Sequence, residues 1–164
     1  MKYVWMLALL TGLAACQKSE LVSDFTGNQA VYSLSAGSAY NVSGTVTFKE
    51  RKNGTTSVLI DLSGTTGDTK FPVHLHLGNI STPDAEIALL LSPVTASSGK
   101  SETIVTTLAN ETQVSYKELL AMAACVKVHL AQSGPSYSVI LAAGNIGANG
   151  TTLANGRAGI AVCQ

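Results

Sequence analysis

The dipeptide Asn53-Gly54 and the two segments around it constrain the fold more than any other feature of the chain. Before it, residues 42–49 alternate between apolar and polar side chains, the pattern of a strand with one buried face. After it, residues 57–63 form a second β-like segment. Asn-Gly is the strongest short signal for the tight turn of a β-hairpin. We therefore predict an antiparallel hairpin over residues 42–63.

Short β-like segments of this kind recur along the chain and are separated by turn residues. They cover residues 30–34, 71–78, 85–91, 102–108, 125–130, 137–143 and 159–163. One segment differs, because Ser115 and Glu118 have the spacing of a capping box, which predicts a helix over residues 116–123. Together these patterns predict an all-β fold, namely an antiparallel Greek-key β-sandwich of about eight or nine strands with one short helix.

The first residues have the layout of an export signal. Lys2 supplies a positive charge, residues 3–10 are an apolar run, and small residues lead to Cys16. This layout is typical of a secretory signal peptide, and the apolar run is too short to span a bilayer permanently. Residues 13–16, Leu-Ala-Ala-Cys, resemble the lipobox of bacterial lipoproteins, where the signal is removed before the cysteine and the cysteine receives lipid. An ordinary signal peptide that contains a cysteine is the alternative.

The lipobox resemblance implies a signal peptide over residues 1–15, a lipidated polar tether over residues 16–28 and a folded domain over residues 29–164. Such a protein is attached through its lipid to a membrane of the bacterial cell envelope, and the outer membrane or cell surface is favoured over the inner membrane. Ten basic residues balance ten acidic ones, and no basic patch with interleaved aromatic residues occurs in the sequence. Nucleic acid is therefore not an expected partner.

The three histidines of the chain are candidate metal ligands. Successive side chains of a strand point to opposite faces, so His74 and His76 share the face opposite the valine and leucines between them. The same parity places His129 opposite Val126 and Val128. All three histidines should point away from the core, and they meet only if their strands are neighbours. Three imidazoles with an open fourth position suit copper or zinc, whereas hydrogen-bonded histidines without a metal are the alternative.

The cysteines allow a disulfide. If Cys16 carries lipid, Cys125 and Cys163 remain as an even pair in an oxidising compartment. Strand parity turns both away from the core, so a bond between them is geometrically possible. It would close a loop of about 40 residues and stabilise the fold by roughly 3–4 kcal/mol. Two reduced cysteines that pack as small hydrophobic residues are the alternative.

The order of these segments resembles the CHRD (chordin-type) domain. Residues 74–78, His-Leu-His-Leu-Gly, and the apolar residues 87–91 are similar to its first block. Residues 119–130, the Ser-Gly-Pro turn after them and residues 138–142 are similar to its second block. The chain departs from that domain at Lys127 and Leu130, where Asn and Thr are usual, and it lacks the Gly-Glu-x-Arg-Gly strand. The resemblance implies a non-enzymatic binding or structural module.

The histidines also resemble the copper ligands of copper-zinc superoxide dismutase, where a His-x-His strand and a later Val-His strand supply three of them. The segment from Gly144 through Arg157 to Cys163 is similar to that enzyme's Gly-Asn-x-Gly … Arg … Cys segment, which implies that Arg157 guides an anion. The bridging histidine and the zinc-loop ligands have no counterpart, so copper is favoured over zinc.

Two functions follow from these observations. The first is a membrane-anchored envelope lipoprotein whose domain binds a ligand or has a structural role and holds a metal ion through three histidines. The alternative is a copper-binding, dismutase-like redox protein that acts on superoxide. The departures from the dismutase pattern favour binding over catalysis, and no motif identifies a protein or surface partner.

Overall fold

The computed structural model describes residues 23–82 and 85–153. The strands in these ranges are β1 (Phe25–Ala36), β2 (Ser43–Arg51), β3 (Thr56–Ser63), β4 (Lys70–Leu77), β5 (Ile87–Thr95), β6 (Lys100–Val105), β7 (Ala123–His129) and β8 (Ile140–Gly147). One α-helix, α1 (Tyr116–Ala121), precedes β7, and a 3-10 turn, Pro135–Ser138, precedes β8. The fold is all-β with one short helix. Within the described ranges no helix has the length and apolar character needed to cross a membrane.

The predicted β-sandwich is wrong, because the eight strands form one closed antiparallel barrel. Their order around it is β1-β2-β3-β6-β5-β4-β7-β8, and β8 returns to pair with β1. Closure takes place at two short seams: Ser35 and Ala36 join β1 to β8, and the single pair Thr95–Lys100 joins β5 to β6. In a sandwich these four strands would be free edges. Inward apolar and outward polar side chains alternate along a strand in a sandwich and in a barrel alike, so the sequence pattern does not distinguish the two architectures.

The Asn-Gly hairpin and the capping box form as predicted. β2 and β3 pair along their whole length, and Gly54 adopts a φ of +84° in the turn between them. At the start of α1 the Ser115 hydroxyl accepts a hydrogen bond from the Glu118 amide at 3.3 Å. The Glu118 carboxylate in turn accepts from the Ser115 amide at 2.8 Å. The helix ends at Ala121, two residues before its predicted end, because β7 begins at Ala123.

The connection between β6 and β7 brings the two histidine-bearing strands together. This segment, which contains α1, places β7 beside β4 instead of beside β6. β4 and β7 run antiparallel, with Lys127 opposite His74 and Cys125 opposite His76. The condition that the sequence left open, that the strands of the histidines be neighbours, is therefore met.

The barrel interior is filled by apolar side chains from all eight strands. Val73 and Leu75 of β4 and Val126 and Val128 of β7 are fully buried there. The largest fully buried side chains are Phe48, Leu34, Ile60, Leu75, Leu119, Leu141 and Ile146. Because side chains alternate along a strand, the histidines next to these valines and leucine project from the outer face of the barrel.

Several predictions fall outside the described residues. These are the signal peptide over residues 1–15, the lipidation of Cys16, the anion guide Arg157, and Cys163 with the last predicted strand. β1 begins at Phe25, inside the segment predicted as a tether. β8 covers Ile140–Gly147, so it begins and ends later than the strand predicted over residues 137–143.

Candidate metal centre

The three histidines form one cluster on the outer face of β4 and β7. One ligand nitrogen from each lies within 4.8 Å of those of the other two. The ring centroids of His74 and His129 are 4.8 Å apart, and that of His76 is 5.7 Å and 5.8 Å from them. Around a tetrahedral ion with metal–nitrogen bonds of about 2.0–2.1 Å, the ligand nitrogens lie about 3.4 Å apart. Each pair of imidazole nitrogens therefore needs to approach by up to about 1.4 Å to share one ion.

The cluster is buried although it lies outside the barrel. His74 and His76 are each 5% exposed, and His129 is 3% exposed. The cover comes from the segment between β4 and β5, which contributes Ala85, and from the segment between β7 and β8, which contributes Tyr137. The predicted orientation away from the core is therefore confirmed, and the two covering segments shield the cluster from most of the solvent.

Two backbone carbonyls set the tautomers of two imidazoles. Nδ1 of His76 donates to the Ala85 carbonyl at 2.8 Å, and Nδ1 of His129 donates to the Tyr137 carbonyl at 2.8 Å. A carbonyl oxygen only accepts, so each Nδ1 carries the hydrogen and each neutral ring keeps its lone pair on Nε2. Both Nε2 atoms are buried and have no hydrogen-bond partner among the described residues. Buried nitrogens without a partner are unfavourable in a packed protein, and they are what a metal ligand requires.

Tyr137 contacts two of the three imidazoles. Its ring stacks on that of His129, with 4.4 Å between centroids and 5° between planes. Its hydroxyl lies 3.5 Å from Nδ1 of His74, at the long limit of a hydrogen bond. The sequence did not reveal this role, because Tyr137 was the first residue of a predicted strand and instead lies in the 3-10 turn before β8. An aromatic residue two positions after a Gly-Pro pair was the only signal for it in the sequence.

Burial keeps the three imidazoles neutral. Desolvation, with smaller contributions from His129 and His76, lowers the pKa of His74 to about 4. Desolvation also lowers the pKa values of His76 and His129, although their hydrogen bonds to backbone carbonyls act in the opposite direction. The positive charge of Lys127 lowers both further. At neutral pH the cluster therefore presents uncharged nitrogens, the form that binds a metal ion.

Cys125 lies on the same outer face, opposite His76, and is fully buried. Burial raises the pKa of its thiol, which keeps it protonated and unreactive. Its predicted partner, Cys163, lies outside the described residues, so the disulfide stays a prediction. Among residues 23–82 and 85–153, the histidine cluster is the one group of three side chains placed to share a metal ion.

A cleft of about 490 Å³ opens beside the cluster. Its lining combines two of the histidines with apolar and polar side chains, and consists of His76, Ala85, Ile87, Lys127, His129, Tyr137, Ser138 and Ile140. The cluster is therefore accessible to a small molecule from one side, while the covering segments close the others.

Comparisons with protein-family models, with curated proteins and with solved structures found no match to this chain. The resemblances to the CHRD domain and to the dismutase therefore stay predictions, and the function depends on the geometry of the histidine cluster.

Proposed function

We propose that this chain binds one copper ion through His74, His76 and His129. The observation that carries the proposal is the pair of buried Nε2 atoms on His76 and His129, which have no partner among the described residues. Each belongs to a ring whose Nδ1 is held by a backbone carbonyl. Metal-binding histidines almost always have this second hydrogen bond, because it fixes the tautomer and the orientation of the ring.

The donor set favours copper over other ions. Imidazole suits copper, zinc, iron and nickel, whereas calcium and magnesium require oxygen ligands, and the group contains no carboxylate. At a given site copper binds most tightly of the divalent first-row metals. Bound copper would supply Lewis-acid and one-electron chemistry, and three protein ligands leave a position for an external molecule.

We further propose that the copper is held at the bacterial cell envelope, on a domain attached to a membrane through lipid at Cys16. The signal-like residues 1–15 and the polar residues that follow Cys16 support this address. The two histidine-containing blocks, in the order found in the CHRD domain, support a relationship to that family. Globomycin treatment of expressing cells and mass spectrometry of the mature N-terminus test the lipidation, and a mature chain without lipid on Cys16 would contradict it.

A copper(II) titration of the full chain tests the metal site. Calorimetry in competition with a chelator of known affinity should find one ion per chain. His129→Gln removes one of three ligands and should weaken binding by at least about 100-fold, since loss of a mere hydrogen-bond partner of a ligand costs 10- to 100-fold. Circular dichroism and thermal unfolding establish that the variant is folded.

The double variant His129→Gln/Lys52→His is the matched control. It restores the number of histidines, but places the third one in the exposed turn between β2 and β3. Affinity should stay as low as in His129→Gln, because the arrangement of the imidazoles decides binding and not their number. Full recovery by the double variant, or equal binding by wild type and His129→Gln, would refute the site.

A second candidate function is a redox protein that acts on superoxide. The cleft that reaches His76 and His129 favours it, because it gives a small molecule a route to the open position. A dismutation assay that compares the copper-loaded chain with the same concentration of free copper tests this function. Activity no greater than that of free copper would exclude it.

A further inference from the structure

The cleft beside the histidine cluster continues into two others along β7 and β8. It shares Lys127 and Ile140 with a neighbouring cleft of about 270 Å³. That cleft shares Ser35, Ile80 and Ala143 with a third, of about 400 Å³. We call these three connected clefts the side groove. The side groove leads over the outer face of the barrel to the histidines.

Lys127 supplies the charge of the side groove. Among the described residues that line it, Lys127 is the one lysine, arginine or carboxylate side chain. It lies on β7 directly opposite His74 and two residues before His129, so it shares their outer face. Its ammonium donates to the Thr82 carbonyl at 3.4 Å, a long contact. None of the ion pairs found within the described ranges involves it.

The wall of the side groove next to Lys127 contains three apolar side chains. Ala85, Ile87 and Ile140 line the part of the side groove that reaches His76 and His129. An inorganic anion of two or three atoms occupies roughly the volume of one or two water molecules, about 30 Å³ each. The cleft at the cluster, about 490 Å³, is far larger and falls in the range of sites for small organic molecules. The combination of one cation, apolar walls and this volume suits an organic anion.

We propose that the side groove binds a small organic monocarboxylate beside the histidine cluster. Its carboxylate pairs with the Lys127 ammonium, and its apolar part packs on Ile87 and Ile140. This proposal adds an organic ligand to the proposed copper site. It rests on that site in one respect only: the ligand lies next to the open coordination position of the ion. Lys127 and the two isoleucines are part of the fold itself, so they bind the carboxylate in the metal-free chain as well.

Calorimetry with acetate, butyrate and hexanoate tests the proposal on the metal-free and the copper-loaded full chain. Affinity should rise along this series, by up to about fourfold for each methylene that is buried. Lys127→Met should weaken hexanoate binding about tenfold, the effect of removing a charge-assisted hydrogen bond. Lys70→Met is the matched control, because Lys70 is exposed on the same strand as His74 and lies outside the side groove. In the copper-loaded chain, hexanoate should also change the copper(II) electron paramagnetic resonance spectrum.

Three results would overturn the proposal: equal affinity for acetate and hexanoate, binding of azide but of no organic carboxylate, or equal weakening by Lys127→Met and Lys70→Met. The metal-free measurements separate this failure from a failure of the copper site. A chain that binds hexanoate through Lys127 but no copper contradicts the proposed function alone. A chain that binds copper but no carboxylate contradicts the side groove alone.

Discussion

Burial of His74 makes the stability of the metal-free protein sensitive to mild acid. An imidazole in an unfolded chain has a pKa of about 6.5, whereas burial lowers the pKa of His74 to about 4. As the pH falls below 6.5 the unfolded state takes up a proton that the folded state does not accept until about pH 4. The contribution of His74 to stability is therefore complete above pH 6.5 and is lost as the pH falls towards 4.

The size of this loss follows from the two pKa values. The difference between 6.5 and about 4 corresponds to about 3 kcal/mol, of which about 2.5 kcal/mol is lost by pH 4.5. Hydrogen bonds lower the pKa values of Glu50 and Glu118 from 4.5. The contribution of these carboxylates to stability is therefore lost mainly below pH 4.5. His76 and His129 add to the loss in the same direction, because burial lowers their pKa values too.

Urea unfolding in the presence of a chelator, near pH 7 and near pH 4.5, measures the effect. Between these two conditions His74→Leu should lose about 2.5 kcal/mol less free energy of unfolding than the wild type. Lys52→His adds an exposed imidazole in the turn between β2 and β3. This variant should lose as much free energy of unfolding between the two pH values as the wild type does. Equal losses by the wild type and His74→Leu would refute the assignment of this sensitivity to the buried ring.

Three further predictions concern the metal, its cover and the barrel wall. Copper at 100 times its dissociation constant should raise the free energy of unfolding by about 2.7 kcal/mol, and calorimetric scans should show no such gain for His129→Gln. Tyr137→Ala removes the ring stacked on His129 and should weaken copper binding about tenfold. Tyr137→Phe keeps that ring, so equal weakening by both variants in a competition titration would contradict a role for stacking. Gly144→Ala should destabilise the fold by about 3 kcal/mol or more in urea, because the new Cβ would overlap the Ser33 carbonyl oxygen; an unchanged unfolding midpoint would contradict this.

Local rules were sufficient to predict the elements that carry the site. Strand parity predicted the shared face of His74 and His76 and the matching face of His129. The capping box at Ser115 predicted the helix before β7, and Asn53-Gly54 predicted the hairpin of β2 and β3. Each of these depends on residues close together in the chain, where side-chain period and turn chemistry decide the conformation.

Long-range pairing decided what the sequence did not reveal. Barrel closure depends on contacts such as Ser35 with Ala143, between residues far apart in the chain. The same holds for the pairing of β4 with β7, and for the cover that Ala85 and Tyr137 provide. Gly144 lies beyond the strand predicted over residues 137–143, yet it belongs to β8, where the backbone of Ser33 approaches too closely for a side chain. In the sequence, Lys127 is only a departure from the CHRD pattern. The register of β4 and β7 places it beside the histidines.

Barrel closure also affects how this chain behaves when many copies are crowded together. Every strand of the barrel has two neighbours, so none is a free edge along its whole length, but the seams of β1 with β8 and of β5 with β6 pair only a few residues. The shortest seams are the places where such an edge would first open. At the seam of β1 and β8, the Leu153 amide donates to the Val31 carbonyl at 2.7 Å, and Thr152 pairs with Tyr32. These two residues beyond β8 extend the pairing of β1 past its short seam, and we expect a chain shortened before Thr152 to expose more of the edge of β1.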